Sequence, residues 1–147
     1  MATIRAFEDK EVWKRARSLA GKIYRLSQEG SFSRDFKLRD QINRASMSIM
    51  DNIAEGFERD GSKEFVQFLS IAKGSSGEVR SQLYSALDRN HINEQTFNEL
   101  KEEAIMINKQ LFGLIKYLNK GDYKGLKFVR EPNEIYLPDA NELDAEI

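Results

Sequence analysis

The sequence predicts an all-α protein, an antiparallel up-down four-helix bundle followed by an acidic C-terminal tail. Three observations predict it. Four long segments repeat apolar residues at spacings of three and four, the period of a helix with one buried face. The connectors between them are short, "EGSFS", "DG" and "HI", and short connectors make consecutive helices antiparallel neighbours. Both prolines, Pro132 and Pro138, fall after the four segments, so no proline interrupts them.

The first helix is expected from about Asp9 to Gln28, with Val12, Ala16, Leu19, Ile23 and Leu26 on its buried stripe. The second runs from about Arg34 to Arg59, with Leu38, Ile42, Ala45, Ile49, Ile53 and Gly56 inward. The third starts near Ser62, read as an N-cap after Gly61, and ends near Asn90. Its stripe includes Phe65, Phe68, Leu69, Ala72, Val79, Leu83, Ala86 and Leu87. The fourth starts at the cap residue Asn93, carries Phe97, Leu100, Ala104, Ile107, Leu111, Leu114, Ile115 and Leu118, and closes at Gly121. Residues 1–121 are therefore read as the bundle and 122–147 as an extended tail. From Glu131 onward the tail holds six acids and no base. Val129, Ile135, Tyr136 and Leu137 are the side chains with which it would dock on a groove.

Composition narrows the function. There are no cysteines, which removes disulfides, thiolate metal sites and a cysteine nucleophile. No run of about eighteen apolar residues occurs, so no membrane partner is expected. The charged start "MATIRAFEDK" lacks the apolar core of a secretory signal, and a cytoplasmic address is expected. The net charge of −1 is unevenly spread. Residues 1–50 hold 11 Lys/Arg against 6 Asp/Glu, and residues 51–147 hold 12 against 18.

Helix two carries a polar stripe of Gln41, Ser48, Asn52, Glu55 and Arg59 beside its apolar one. Gly56 costs about 1 kcal/mol of helix propensity relative to alanine, so a close approach of another helix is expected there. Gly74 and Gly77 in "AKGSSGEVRSQL" suggest the same for helix three, with Glu78 facing the stripe and Arg44 or Arg80 as its partner. Three readings of this stretch stand. Arg44, Asn52, Glu55, Gly56, Gly74 and Glu78 form a satisfied polar seam that fixes register, the best-attested use of buried polar groups. Alternatively, Asn, Gln and Arg there contact a ligand or nucleic acid. Or Glu55 and Glu78 act as acid and base or hold a metal.

The first reading is preferred. A di-iron bundle needs Glu-x-x-His pairs, and the sole histidine, His91, has no Glu three residues before it. His91 reads as a solvated helix-end residue, and one histidine leaves no Ser/His/Asp set to propose. "GSSG" at 74–77 lies within a helix with no strand before it, so it is no phosphate loop. No catalytic residue, cofactor or metal is expected.

Helix one is rich in base: Lys10, Lys14, Arg15, Arg17, Lys22 and Arg25. Lys14, Arg17 and Arg25 with Arg34, Lys37 and Arg39 would form one basic surface for RNA or DNA phosphates; the alternative is an ordinary solvated face. Trp13, Phe7, Tyr24, Phe32 and Phe36 lie in the same half, read chiefly as core. Phe7 and Trp13 are the candidates for a subunit interface, and exposed aromatics beside arginine would suit base stacking.

"FEDKEVWKRARSLAGKIY", "LRDQINRASMSIMDNIAEGFER" and "EFVQFLSIAKGSSGEVRSQL" resemble the motifs of the four-helix-bundle family of 23S ribosomal RNA intervening-sequence proteins. The resemblance covers roughly residues 7 to 118. It implies a bundle that assembles as a homopentamer. Genes of similar proteins often lie within intervening sequences of large ribosomal RNA genes. A related branch, the accessory proteins of diversity-generating retroelements, binds nucleic acid and a reverse transcriptase. The expectation is a non-enzymatic homo-oligomer that holds nucleic acid, with a scaffold that recruits a partner protein as the alternative and an enzyme last.

Overall fold

A computed structural model describes residues 6–120. Gly121 and the expected tail, 122–147, lie outside the described residues, and with them the boundary between bundle and tail. A single 3₁₀ turn, Phe7–Asp9, leads into α1 (Glu11–Ser27), α2 (Gly30–Arg34), α3 (Phe36–Glu58), α4 (Ser62–Asp88) and α5 (Glu94–Leu118). The long helices α1, α3, α4 and α5 each pack on the next, and α1 returns to α5, which closes the up-down ring. Every described element is helical.

The apolar stripes turn inward as their spacing requires. Leu19, Ile42, Ile49, Ile53, Leu69, Val79, Ile107 and Leu111 are fully buried. Each such side chain contributes about 1.5–3 kcal/mol by leaving water. Gly56 is buried at the α3–α4 contact. A Cβ there would lie 2.7 Å from Phe68 Cβ and 3.0 Å from Phe65 Cδ1, so only glycine admits this approach. Gly74 and Gly77 differ from the expectation. A Cβ at either meets nothing within 4 Å, because the helix is rotated to bury Ser75 and Ser76 instead.

The first connector also differs. "GSFSR" forms α2 rather than an open loop, because Phe32 is drawn into the core and Gly30, at φ +55°, turns the chain to place it there. Asp35 then interrupts the helix and caps α3, accepting from the Leu38 N–H. At the next turn Gly61, with φ +93°, occupies the cap position assigned to Ser62, which is instead the first helical residue. Asn93 caps α5 as expected, accepting from the Thr96 N–H at 2.8 Å. Helix α4 ends on Asn90 in the left-handed region at φ 60°. The His91 N–H returns to the Ala86 carbonyl and the Asn90 N–H to that of Leu87, the paired bonds of a Schellman ending.

Lys10 departs furthest from its expected surface role. It is fully buried at the start of α1. Its ammonium lies 4.8 Å from the ring centre of Phe57 and 5.5 Å from that of Phe65. The cation is held by ring faces, which anchors α1 to the α3–α4 junction.

The two kinds of mid-helix glycine predict opposite responses. Gly56→Ala should lower stability by about 1–3 kcal/mol through overpacking against Phe65 and Phe68. Gly74→Ala should raise it by about 0.5–1 kcal/mol through helix propensity. Urea unfolding of the two variants beside the parent checks both signs.

Candidate functional site

The expected polar seam exists in part. Asn52 donates from Nδ2 to the Ser48 carbonyl at 2.8 Å and to Ser48 Oγ at 3.0 Å. Ser48 Oγ lies 2.8 Å from Ser75 Oγ, so the seam joins α3 to α4. Its carboxylates stand outside it. Glu55 is exposed and bonded to Arg59 one turn along the same helix at 2.8 Å. Such a pair is worth only about 0.3–0.5 kcal/mol. Arg44 and Glu78 do approach, at 3.9 Å, but both are solvent-exposed. The small residues next to Gly74, not Gly74 itself, make the contact.

Two further seams follow the same rule and were not singled out in the sequence. Asn43 Nδ2 donates to Ser27 Oγ at 2.8 Å, tying α3 to α1, and also to the Arg39 carbonyl. Asn108 Nδ2 donates to Ser76 Oγ at 3.0 Å, tying α5 to α4. Three asparagines thus belong to serine-bearing seams between neighbouring helices. Their common signal is a small hydroxyl on the edge of an apolar stripe opposite an amide.

The expected basic surface divides. Lys14, Arg17 and Arg25 line one shallow groove of about 420 Å³ on the outer face of α1, with Ser18 and Gly21 as its floor. Gly21 is small where Arg25 folds back, with Nη1 3.3 Å from the position a Cβ would take. The neighbouring cations on α1 are neutralised: Arg15 pairs with Glu11 and Lys22 with Glu103. Among the described residues Lys14, Arg17 and Arg25 enter no ion pair. Arg17 instead stacks against Trp13, its Cζ 5.8 Å from the ring centre. Arg34, Lys37 and Arg39 do not line this groove. Arg34 and Lys37 are exposed on α2 and the start of α3. Arg39 lies over Phe36, donates to the Ser33 carbonyl and pairs with Asp40. Of the aromatics read as core, Phe32 is buried, whereas Tyr24 and Phe36 are 57% and 63% exposed.

His91 is the other correction. Its side chain is 9% exposed and stacked on Phe32, with ring centres 5.2 Å apart. Nε2 lies 2.9 Å from Asp35 Oδ2, and Nδ1 lies 2.8 Å from Ser31 Oγ. A Ser/His/Asp series, not expected from a single histidine, is therefore assembled from α2, the cap of α3 and the α4–α5 turn. A carboxylate can only accept, so Nε2 is the nitrogen that donates to Asp35. Asp35 also accepts from Arg89 Nη1 at 2.8 Å. The series thus clasps three segments at one end of the bundle. The signals for it were an Asp ahead of α3 and an Asn able to end α4 in the left-handed region. Among the described residues, no three His, Asp or Glu side chains converge in a way that could hold a metal ion.

The hydrogen bond from His91, then that from Arg89, holds the Asp35 carboxyl at about 2, below its ordinary 3.8, against the opposing effect of burial. The Leu38 N–H and the charge of Arg89 add to this. A carboxyl depressed on folding stabilises the fold fully above its unfolded pKa, and that contribution is lost as pH falls through the folded value. The Asp35 contribution should therefore be complete above about pH 4 and gone near pH 2. Asp35→Asn, which keeps a cap but loses the charge, should be less stable than the parent at pH 7, with the gap closing between pH 4 and 2. Thermal melts across that range check it.

The family model for the 23S rRNA-intervening sequence protein matches residues 8–113. A protein of unknown function from the S23 ribosomal protein family of Bacteroides thetaiotaomicron has a similar structure, with a TM-score of 0.66. The match covers 71% of this chain and 98% of that one at 24% identity, and it speaks to the fold. No match is found among curated proteins. The matched residues run from the 3₁₀ turn into α5 and take in Gly56, the α1 groove, the three seams and the Asp35 clasp. A bundle of this order and contact pattern, matched over most of its length, belongs to the 23S rRNA-intervening sequence protein family.

Proposed function

We propose that this protein is a non-enzymatic, cytoplasmic homo-oligomer that holds nucleic acid along the outer face of α1. One observation carries the reading: Lys14, Arg17 and Arg25 line a single groove and enter no ion pair among the described residues, while Arg15 and Lys22 beside them are neutralised. Three cations so placed on one helix face are suited to phosphate oxygens. The family's description refers to an intervening sequence of 23S rRNA, so RNA is the first nucleic acid to test. Repetition of the groove around a ring would add the fields of several copies. The pentamer implied by the family resemblance is the proposed ring. Phe36, Met47, Ile71, Tyr84 and Met106 are exposed in the single chain, which supports association with other copies or with a partner protein. None of the described helices is long and apolar enough to cross a membrane.

Fluorescence anisotropy with labelled RNA over a salt series tests the main reading. Affinity should fall linearly in log salt, by about 0.7 log units per phosphate contact on a single strand. Lys14→Glu/Arg17→Glu/Arg25→Glu should abolish binding, and Lys63→Glu on α4 should leave it near the parental value. No binding at about 50 mM salt would overturn the reading and favour recruitment of a protein.

The Ser31–His91–Asp35 series is the observation that would favour an enzyme instead. Native mass spectrometry after treatment with a fluorophosphonate should give five times the protomer mass and no adduct on Ser31. A stoichiometric adduct lost in His91→Gln would overturn the non-enzymatic reading, and another mass would replace the number five.

A further inference from the structure

The α1 face carries more than phosphate-binding cations. Trp13, Arg17 and Tyr24 recur at spacings of four and seven, which places them on one line along the helix. Lys14, Ser18, Gly21 and Arg25 form the adjacent line and line the groove. Two parallel rails result, one aromatic and one cationic. Each runs over eleven residue steps, or about 16 Å at 1.5 Å per residue.

The aromatic rail presents ring surface. Tyr24 is 57% exposed. Trp13 is half-buried, and Phe7 meets it edge-on, with centroids 5.1 Å apart and planes at 67°. The indole also packs against the core, so only its outward part is left for a ligand. The Arg17 guanidinium lies over the ring, and a planar cation of that kind also stacks on bases.

We infer that the occupant of the α1 groove is a single-stranded stretch of about five nucleotides, its phosphates on Lys14, Arg17 and Arg25 and its terminal bases on Trp13 and Tyr24. The inference rests on the nucleic-acid reading above. At about 3.4 Å per stacking step, about five steps, or five to six nucleotides, fit between Trp13 and Tyr24. A duplex offers the cations its phosphates but keeps its base faces inside. It leaves Trp13 and Tyr24 without a partner. Stacking on rings accepts every base, so the site is tolerant of sequence.

Trp13 is the sole tryptophan, so its emission reports this site alone. The full chain is titrated with a five-nucleotide oligoadenylate, the corresponding oligodeoxyadenylate, an RNA duplex and inorganic polyphosphate, with binding followed in parallel by calorimetry. Saturation with either oligonucleotide should quench Trp13 strongly, while polyphosphate should bind with emission unchanged. Tyr24→Ala should weaken oligoadenylate about tenfold and leave polyphosphate unaffected, and Tyr24→Phe should restore the affinity. Tighter binding of the RNA strand than of the DNA strand would assign a contact to the 2′-hydroxyl within the same site. Oligoadenylate bound with unchanged Trp13 emission and indifferent to Tyr24→Ala would overturn the single-strand inference but leave the phosphate groove standing. No binding of any of the four ligands would overturn both.

Discussion

The closeness of α3 to α4 governs the rest of the bundle. Phe65 and Phe68 sit directly on the α3 backbone at Gly56, where no side chain intervenes. Further along the same seam two hydroxyls, Ser48 and Ser75, meet at 2.8 Å. These small residues set how near α3 and α4 lie, and the other elements fit around that distance. The start of α1 is fixed at this junction by Lys10 over Phe57 and Phe65. Held there, α1 keeps Val12, Ala16, Leu19 and Ile23 inside and leaves its opposite face in water, where Lys14, Arg17 and Arg25 lie.

The bundle was legible because apolar spacing of three and four residues survives every local detail. Long helices bury one face whatever the loops do. What escaped depended on rotation or on distant partners. A helix turns about 100° per residue, so moving the inner face by one position exchanges glycines 74 and 77 for Ser75 and Ser76. Glu55 and Asn52 share a stripe, yet only Asn52 reaches the seam; Glu55 turns back to Arg59. Lys10 looked like one more surface base because nothing in its neighbours announces two rings brought from α3 and α4. Half of the expected basic surface is in one groove. The other half is not there, because Arg34 and Lys37 lie on α2 and the start of α3, and Arg39 is committed to Phe36, Ser33 and Asp40.

The three seams share one device. An amide on one helix belongs to a hydroxyl pair or a hydroxyl contact with the next, at α1–α3, α3–α4 and α4–α5. A shift of one residue along either helix would move a hydroxyl away from its partner and leave polar atoms unmatched at the edge of the core. Leucine and isoleucine supply the bulk of the packing but discriminate poorly between registers. The amide–hydroxyl contacts supply that discrimination, and so fix which residues of α1 remain on the outer face.

Asp35 draws Arg89 and His91 from the far side of the chain onto the entry of α3. The end of the bundle that holds α2 and the α4–α5 turn is thereby cross-tied, whereas the opposite end holds the 3₁₀ turn, the Gly61 turn and the close of α5. The two ends of the bundle are thus closed by different chemistry, a charged and hydrogen-bonded tie at one and rings packed over a glycine and an ammonium at the other, so acid loosens the first and spares the second.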